Sequence, residues 1–411
     1  MMGSARNGLH AGLLITLALA AGVQPTHAQR HELMNAIDHR LQEVHDDLIA
    51  VRRDLHRHPE LSGQEERTAG IVAARLRALG LEVRAGVGGH GVVGVLRGGR
   101  TGPVVAYRAD MDAARSDAPD PVPFASETPR VRHICGHDVH TTVALGVAEA
   151  LTEVRAELPG TVVFIFQPAE ENTQGARAMI GDGVLDDPAP GAIFAFHTAP
   201  LEVGQIGSVE GMALPGYDGV TVTLRGAGDL EQAADRYAQA IRAVSTGNAV
   251  APEDFALAMV RRFRAEDGAW VVTGVVRAGS VATRARAKQT IQNNVAAVER
   301  ENVSYEFSYE DLILPDMVND PALVRSTLAT IRSALGPEAL IEVNQVTPFF
   351  SEDFAHFQQH IPGAMYWLGV SNSAAGTAGM PHSPDYVADE GAIAVGARAM
   401  SAILLGYLAT H

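Results

Sequence analysis

The sequence predicts an α/β fold. It consists of a mostly parallel-sheet main domain with helices on both faces, carrying an inserted two-layer α+β (ferredoxin-like) lid. Three observations predict it. Val162–Phe166 is uninterruptedly apolar, as expected of a strand buried on both faces of a parallel sheet. Short apolar runs alternate with amphipathic helical stretches on either side of it. From about Gly216 the order changes to β-α-β-β-α-β, the pattern of a small split α+β unit. At 411 residues the chain exceeds one compact core. The boundaries read as 29–215 plus 317–411 for the main domain and 216–316 for the inserted one.

Residues 1–28 read as a leader. Arg6 and His10 precede the apolar run Ala11–Val23, and compact residues lead up to Gln29. The run is short for a bilayer span, so export is expected, to the periplasm or medium. Arg30–Arg57 is a helix with Leu41, Val44, Leu48, Val51 and Leu55 on one side, broken at His58-Pro59. A second helix covers about Glu65–Leu79 and ends at Gly80. Strands follow at Leu81–Val83, Val92–Leu96 and Val104–Tyr107, the last running into Arg108-Ala109-Asp110-Met111-Asp112. A Pro/Asp-rich loop, Ser116–Pro129, leads to His133-Ile134-Cys135-Gly136-His137. Thr141 or Thr142 is the expected cap of a helix over Val143–Val154. The central strand stops at Gln167-Pro168 and the pair Glu170-Glu171 follows. Ala192–Phe196 is one more strand, ended by His197.

In the inserted part, Val220–Leu224, Phe255–Arg264, Trp270–Val276 and Val303–Tyr309 are strands, with helices over Asp229–Val244 and Ala282–Val298. Asp320–Leu335 and Ala364–Gly369 resume the helix–strand alternation. Asp389 is the expected cap of a closing helix to about Leu408.

Charge and cysteine use narrow the function. Lys and Arg number 32 against 48 Asp and Glu, a formal charge of −16, which argues against nucleic acid or an anionic membrane as the partner. Cys135 is the single cysteine, so there is no disulfide framework. Ligands of open α/β sheets gather beyond the carboxyl ends of the strands, where Glu170 and Glu171 would lie. Two adjacent carboxylates in a dry cleft call for a cation or a proton. Cys135, His137, Glu171, His197 and His382 are the candidate ligands, and a thiolate–imidazole–carboxylate mixture favours manganese, zinc or cobalt over magnesium or calcium. Taken singly, each has a plain structural reading: a core thiol, a turn histidine, a solvated acid.

Together, the segments DLHRHPELSGQEERTA, YRADMDA, HICGHDVHTT, FQPAEENTQGA, FAFHTAP, SEDFAHF and PHSPDYVADEG resemble a dinuclear metal-dependent amidohydrolase and metallopeptidase family. The family includes hippurate hydrolases, N-acyl-amino-acid amidohydrolases and indole-acetyl-amino-acid hydrolases. The resemblance implies two divalent ions held by Cys135, His137, Glu171, His197 and His382, with Cys135 near both. It implies Glu170 as general base toward a water attacking an amide, and Asp110 as a supporting carboxylate that orients a histidine, His137. The implied substrates are N-acyl amino acids, or alternatively short peptides cleaved as by a carboxypeptidase or dipeptidase. A non-hydrolytic metal-containing binding protein is the remaining alternative. A homodimer through the inserted domain is also implied.

The sequence departs from that pattern in the inserted domain. Family members carry a histidine after its first strand; here Arg225-Gly226-Ala227-Gly228-Asp229 passes straight into helix, and no histidine occurs between His197 and His356. An Asn-and-proline segment is replaced by Ala258–Arg262. Arg277, Arg284, Asn293 and Asn294 are possible substitutes, each expected to be a surface residue.

Overall fold

The computed structural model describes residues 27–246, 251–299, 301–343 and 349–411. The expected leader lies outside the described residues as far as position 26. In order, the elements are α1 (His27–Arg57), α2 (Glu66–Ala78), β1 (Glu82–Val87), β2 (Gly91–Arg97), β3 (Arg100–Asp110), α3 (His137–Glu153), β4 (Pro159–Gln167), α4 (Gly175–Gly181), β5 (Ile193–Glu202) and β6 (Ile206–Ser208). Then come β7 (Tyr217–Gly226), α5 (Leu230–Arg242), β8 (Ala256–Arg264), β9 (Trp270–Ala278), α6 (Val281–Ala297) and β10 (Val303–Leu314). The chain closes with α7 (Pro321–Leu335), β11 (Leu340–Glu342), β12 (Gly363–Ser371) and α8 (Gly391–Thr410).

The main sheet has eight strands in the order β1-β2-β4-β3-β5-β12-β6-β11. Its centre, β4-β3-β5-β12, is parallel, and β1 and β2 add antiparallel strands at one edge. The apolar run of β4 is explained by burial on both sides. Val162, Phe164 and Phe166 enter the core shared with α1, α3 and α8, while Val163 and Ile165 enter the opposite one with Met179 and Phe354. A fully buried aromatic or branched side chain contributes about 1.5–3 kcal/mol, so this strand anchors both layers. Helix α8 is long and apolar enough to cross a bilayer, but 72% of its apolar window is buried inside the protein. Its composition is that of a core helix.

The second sheet is four-stranded and antiparallel, in the order β8-β9-β7-β10, as the ferredoxin-like reading requires. One face packs Val220, Val222 and Leu224 against Ala234, Tyr237 and Ile241 of α5 and Ile291 of α6. The other face is open, and part of it overlooks the carboxyl ends of the main sheet.

Three local expectations are corrected. Helix α3 begins at His137 rather than Val143. Its first turn is polar because it faces the crevice, which hides it from a hydrophobic-periodicity reading. Thr141 and Thr142 are not caps: their hydroxyls donate to the main-chain oxygens of Asp110 (2.9 Å) and Asp138 (2.7 Å). Strand β5 does not stop at His197 but continues to Glu202, with His197 paired to Trp367 of β12. At α8 the cap position is Glu390; Asp389 lies one residue earlier, its carboxylate accepting from Gly391 N at 2.8 Å.

Candidate metal centre

Cys135 and His137 flank Gly136, whose φ is +92°. A Cβ there would collide with Tyr386 Oη and press on Thr198. Only glycine makes this turn at this packing distance, and the turn delivers the thiol and the first imidazole of α3 to the carboxyl ends of β4 and β5. Cys135 Sγ lies 3.3 Å from His197 Nε2. The ligating atoms of Cys135, His137 and His197 all fall within 4.8 Å of one another, and so do those of Cys135, Glu171 and His382. These two triads share the thiol. All five candidate ligands are therefore brought together, with Glu170 beside His137 and Glu171.

The surrounding protein fixes which atoms face the centre. His137 Nδ1 donates to Asp112 O at 2.9 Å and lies 3.2 Å from Asp112 Oδ1, leaving Nε2 inward. His197 Nδ1 donates to Thr198 O at 2.8 Å, again leaving Nε2 inward. Such outer contacts set the tautomer and hold the ring of a metal-binding histidine. His382 sits at φ +60°, a left-handed backbone held by its N–H to Ile134 O at 2.9 Å. Its Nε2 stands 3.5 Å from Glu171 Oε1. The carboxylate pair is held as firmly. Ala169, at φ +55°, donates its N–H to the buried Glu65 carboxylate at 2.8 Å, and Glu171 N donates to Asp112 Oδ2 at 3.0 Å.

Asp110 does not orient His137; Asp112 does. Asp110 instead meets His140 Nδ1 at 2.6 Å and Arg108 Nη1 at 2.6 Å. The physical reason is the early start of α3, which sets His137 over Asp112 and His140 one turn further along over Asp110. His140 Nε2 accepts from Thr198 N at 2.8 Å. With both ring nitrogens committed, His140 braces the strand that carries His197 and has no lone pair left for a cation.

Sequence reasoning also missed a buried charge network. Arg108, fully enclosed at the end of β3, donates to Gln167 Oε1 (2.8 Å), Glu352 Oε1 (2.8 Å) and Asp353 Oδ1 (3.0 Å) besides Asp110. Oxygens of Glu170, Glu352 and Asp353 lie within 4.8 Å of one another. The SEDFAHF segment was the only available signal. A partner more than 240 residues away in sequence leaves no local trace.

Electrostatics test whether cations fit. His137 Nε2 and Glu171 Oε1 are buried with no hydrogen-bond partner. Burial pushes the Cys135 thiol well above its usual range, against the pull of His137. Burial raises Glu171 to about 7, again against His137. Glu170 is driven well up by burial and by Glu352, Asp353 and Glu171. Burial holds His197 down at about 3 and His382 at about 4, so both rings are neutral, the form that ligates. This protein-only array carries more acid than it can ionise. Divalent cations reverse that logic, stabilising the thiolate and carboxylates. The donor set fits them.

The centre opens into a cavity of about 650 Å³ between the two sheets. Its walls are largely apolar, with Leu201, Leu214, Val275, Phe350, Trp367 and Met380, and among the described residues its carboxylates are Glu170 and Glu171. The expected placement of the inserted-domain residues needs correction. Arg277 is not a surface residue but lines this cavity. Arg284 is buried, paired with Asp218 and Asp316. Asn293 is exposed beside Gln289, as expected, and Asn294 donates to Ala240 O at 3.0 Å. The turn from β7 to α5 is as short as anticipated, Asp229 capping α5 through Gln232 N at 3.0 Å.

Fold and site together define a hydrolase-type dinuclear centre at the carboxyl edge of a parallel sheet, beneath a lid. Comparison with known proteins identifies the family. The model for peptidase family M20/M25/M40 matches residues 106–406, and the chain belongs to that family. The Arabidopsis thaliana IAA-amino acid hydrolase ILR1-like 4 is 33% identical over 88% of this chain and 86% of its own length. The Bacillus subtilis N-acetylcysteine deacetylase is 32% identical, over 85% and 94%. Among solved structures, the Bacillus subtilis YXEP protein, a dinuclear metal binding peptidase of this family, superposes with a TM-score of 0.74. It is 30% identical and covers 90% of this chain and all of its own. Membership makes the protein a metal-dependent hydrolase of amide bonds that works with two divalent cations.

Proposed function

We propose that the protein hydrolyses the amide of N-acyl amino acids. In this reading Cys135, His137, Glu171, His197 and His382 hold the two cations, which supply a Lewis acid and an acidified water at neutral pH. Glu170, wedged between Glu171 and the Glu352–Asp353 pair, takes the proton of the attacking water and passes it to the leaving amine. Asp112 keeps His137 aimed, and the Arg108 network keeps β3, β4 and the 352–353 segment in fixed relation.

The observation that carries the substrate reading is Arg277. Its Nη1 donates to Phe349 O at 2.5 Å, its Nε is buried without a partner, and among the described residues it has no acidic partner. A half-buried guanidinium on the largely apolar wall of the cavity matches the α-carboxylate of an amino acid. Among the described residues the two carboxylates on the wall both belong to the centre, so none of them is left to receive the free ammonium of a dipeptide. An acyl-blocked amine suits the apolar remainder better.

The same reading takes manganese, zinc or cobalt as the metal, an exported protein as suggested by residues 1–28, a lid over 216–316 and a homodimer through it. The test is turnover of N-acetyl amino acids, N-benzoyl amino acids and dipeptides by protein refilled separately with each metal. Blocked amino acids are expected to be preferred by about tenfold or more, the order of one charge-assisted contact. A preference for dipeptides would contradict the substrate assignment, and chelator-resistant turnover would contradict the metal assignment.

A further inference from the structure

Amide hydrolysis places negative charge on the former carbonyl oxygen, and hydrogen-bond donors aimed at that oxygen lower the barrier. Among the described residues four hydroxyls line the cavity, and two of them are committed to main-chain oxygens. Thr198 Oγ1 donates to Cys135 O at 2.6 Å and Ser351 Oγ to Pro215 O at 2.8 Å. Thr173 Oγ1 and Tyr217 Oη instead have each other, at 3.1 Å. Two O–H groups share a single bond there, so one hydrogen remains for a ligand.

Both residues are held toward the centre. Thr173 lies on the turn of the carboxylate pair, at φ +60°, with its N–H donating to Glu170 O at 2.7 Å. Tyr217 opens β7 beside a register break with β10 between Tyr217 and Gly219, a local distortion of the kind that re-aims a side chain. The next residue, Asp218, points to the helix side. It is fully buried and accepts from Arg284 Nη1 (3.2 Å), Tyr309 Oη (2.8 Å) and Leu312 N (2.8 Å). Alternation along the strand therefore turns Tyr217 to the cavity, where its ring centroid lies 5.9 Å from the Arg277 guanidinium carbon.

We propose that Tyr217 is a catalytic residue that donates a hydrogen bond to the oxygen of the scissile amide. Thr173 donates to the phenol oxygen and so points the remaining hydrogen inward. The phenol keeps its proton throughout; the bond strengthens as charge builds on the amide oxygen. This inference rests on amide hydrolysis in this cavity, and not on which amide is preferred.

The test compares wild type, Tyr217→Phe and Thr173→Ala on whichever blocked amino acid or dipeptide wild type hydrolyses fastest. Metal content, Tm and inhibition by a phosphinate analogue of that substrate are measured alongside. Tyr217→Phe is expected to lower kcat about 100-fold, with KM within about threefold and two metals per chain retained. The phosphinate Ki should rise in step with the loss of kcat/KM, because that inhibitor reads transition-state complementarity. Thr173→Ala, which frees the phenol without removing it, is expected to lower kcat about fivefold. The proposal is overturned if Tyr217→Phe keeps kcat within about threefold, if KM rises alone with Ki unmoved, or if the variant loses metal or Tm. A dipeptide as best substrate would overturn the N-acyl reading while leaving the Tyr217 ratio to decide this one.

Discussion

The floor of the crevice and the wall above it are built on opposite terms. On the floor, functional groups lean on buried partners. Asp112 holds His137 and the Glu171 backbone, Thr198 ties His140 to the segment of Cys135, and Arg108 gathers three acids from two stretches of chain. On the wall, Tyr217, Val275 and Arg277 stand half-buried on the open face of a four-stranded sheet, and among the described residues the side chains of the two polar ones hold one hydrogen bond apiece. A cation centre works only when several ligands are within a fraction of an ångström of their places, so it needs a braced floor. A surface that selects a substrate needs only one or two well-chosen groups. Damage to the floor should therefore appear in chemistry and metal affinity, loss of Arg277 from the wall in substrate binding, and loss of Tyr217, which donates to the reacting oxygen, in chemistry without loss of metal.

Three substitutions sharpen that contrast. The largest effect is expected from Glu170→Gln, which removes the proton carrier while leaving the ligands: kcat should fall about 10³-fold, within the range of general acid–base catalysis. Elemental analysis should find its metal content unchanged. Asp112→Asn should come next, weakening metal affinity about 10- to 100-fold because the His137 ring loses its anionic partner; a chelator-competition titration measures it. If the affinity is unmoved, the brace is merely structural. Arg277→Met should be the smallest, raising KM for a carboxylate-bearing substrate about tenfold with kcat nearly unchanged, the signature of lost ground-state binding. A fall in kcat with KM unchanged would move Arg277 from the wall's role to the floor's.

How far these roles could be read from sequence follows the same division. The five candidate ligands were legible because each lies in a short segment of unusual composition beyond an apolar strand or turn, and their order along the chain is informative. The β-α-β-β-α-β order was legible because alternation along Val220–Leu224 and Val303–Tyr309 reports one-sided burial. The braces were not. Asp110 and Asp112 are two apart on one extended segment, and which histidine each meets depends on α3 starting at His137. That start is masked by a first turn whose polar residues face the site instead of solvent. Glu352 and Asp353 reach Arg108 only through the fold. Arg277 read as a surface residue because the open face of its sheet becomes a cavity wall only when the main sheet is placed opposite.

The Cys135 thiol, shared by two triads, would tie both cation positions together. Metal stoichiometry of purified, refilled protein tests it most directly, with Cys135→Ala beside His197→Ala and His382→Ala. Two equivalents per chain are expected in wild type, one in each histidine variant, and none in Cys135→Ala, whose circular dichroism should remain that of the folded chain. A Cys135→Ala protein that still binds two equivalents with wild-type affinity would contradict it.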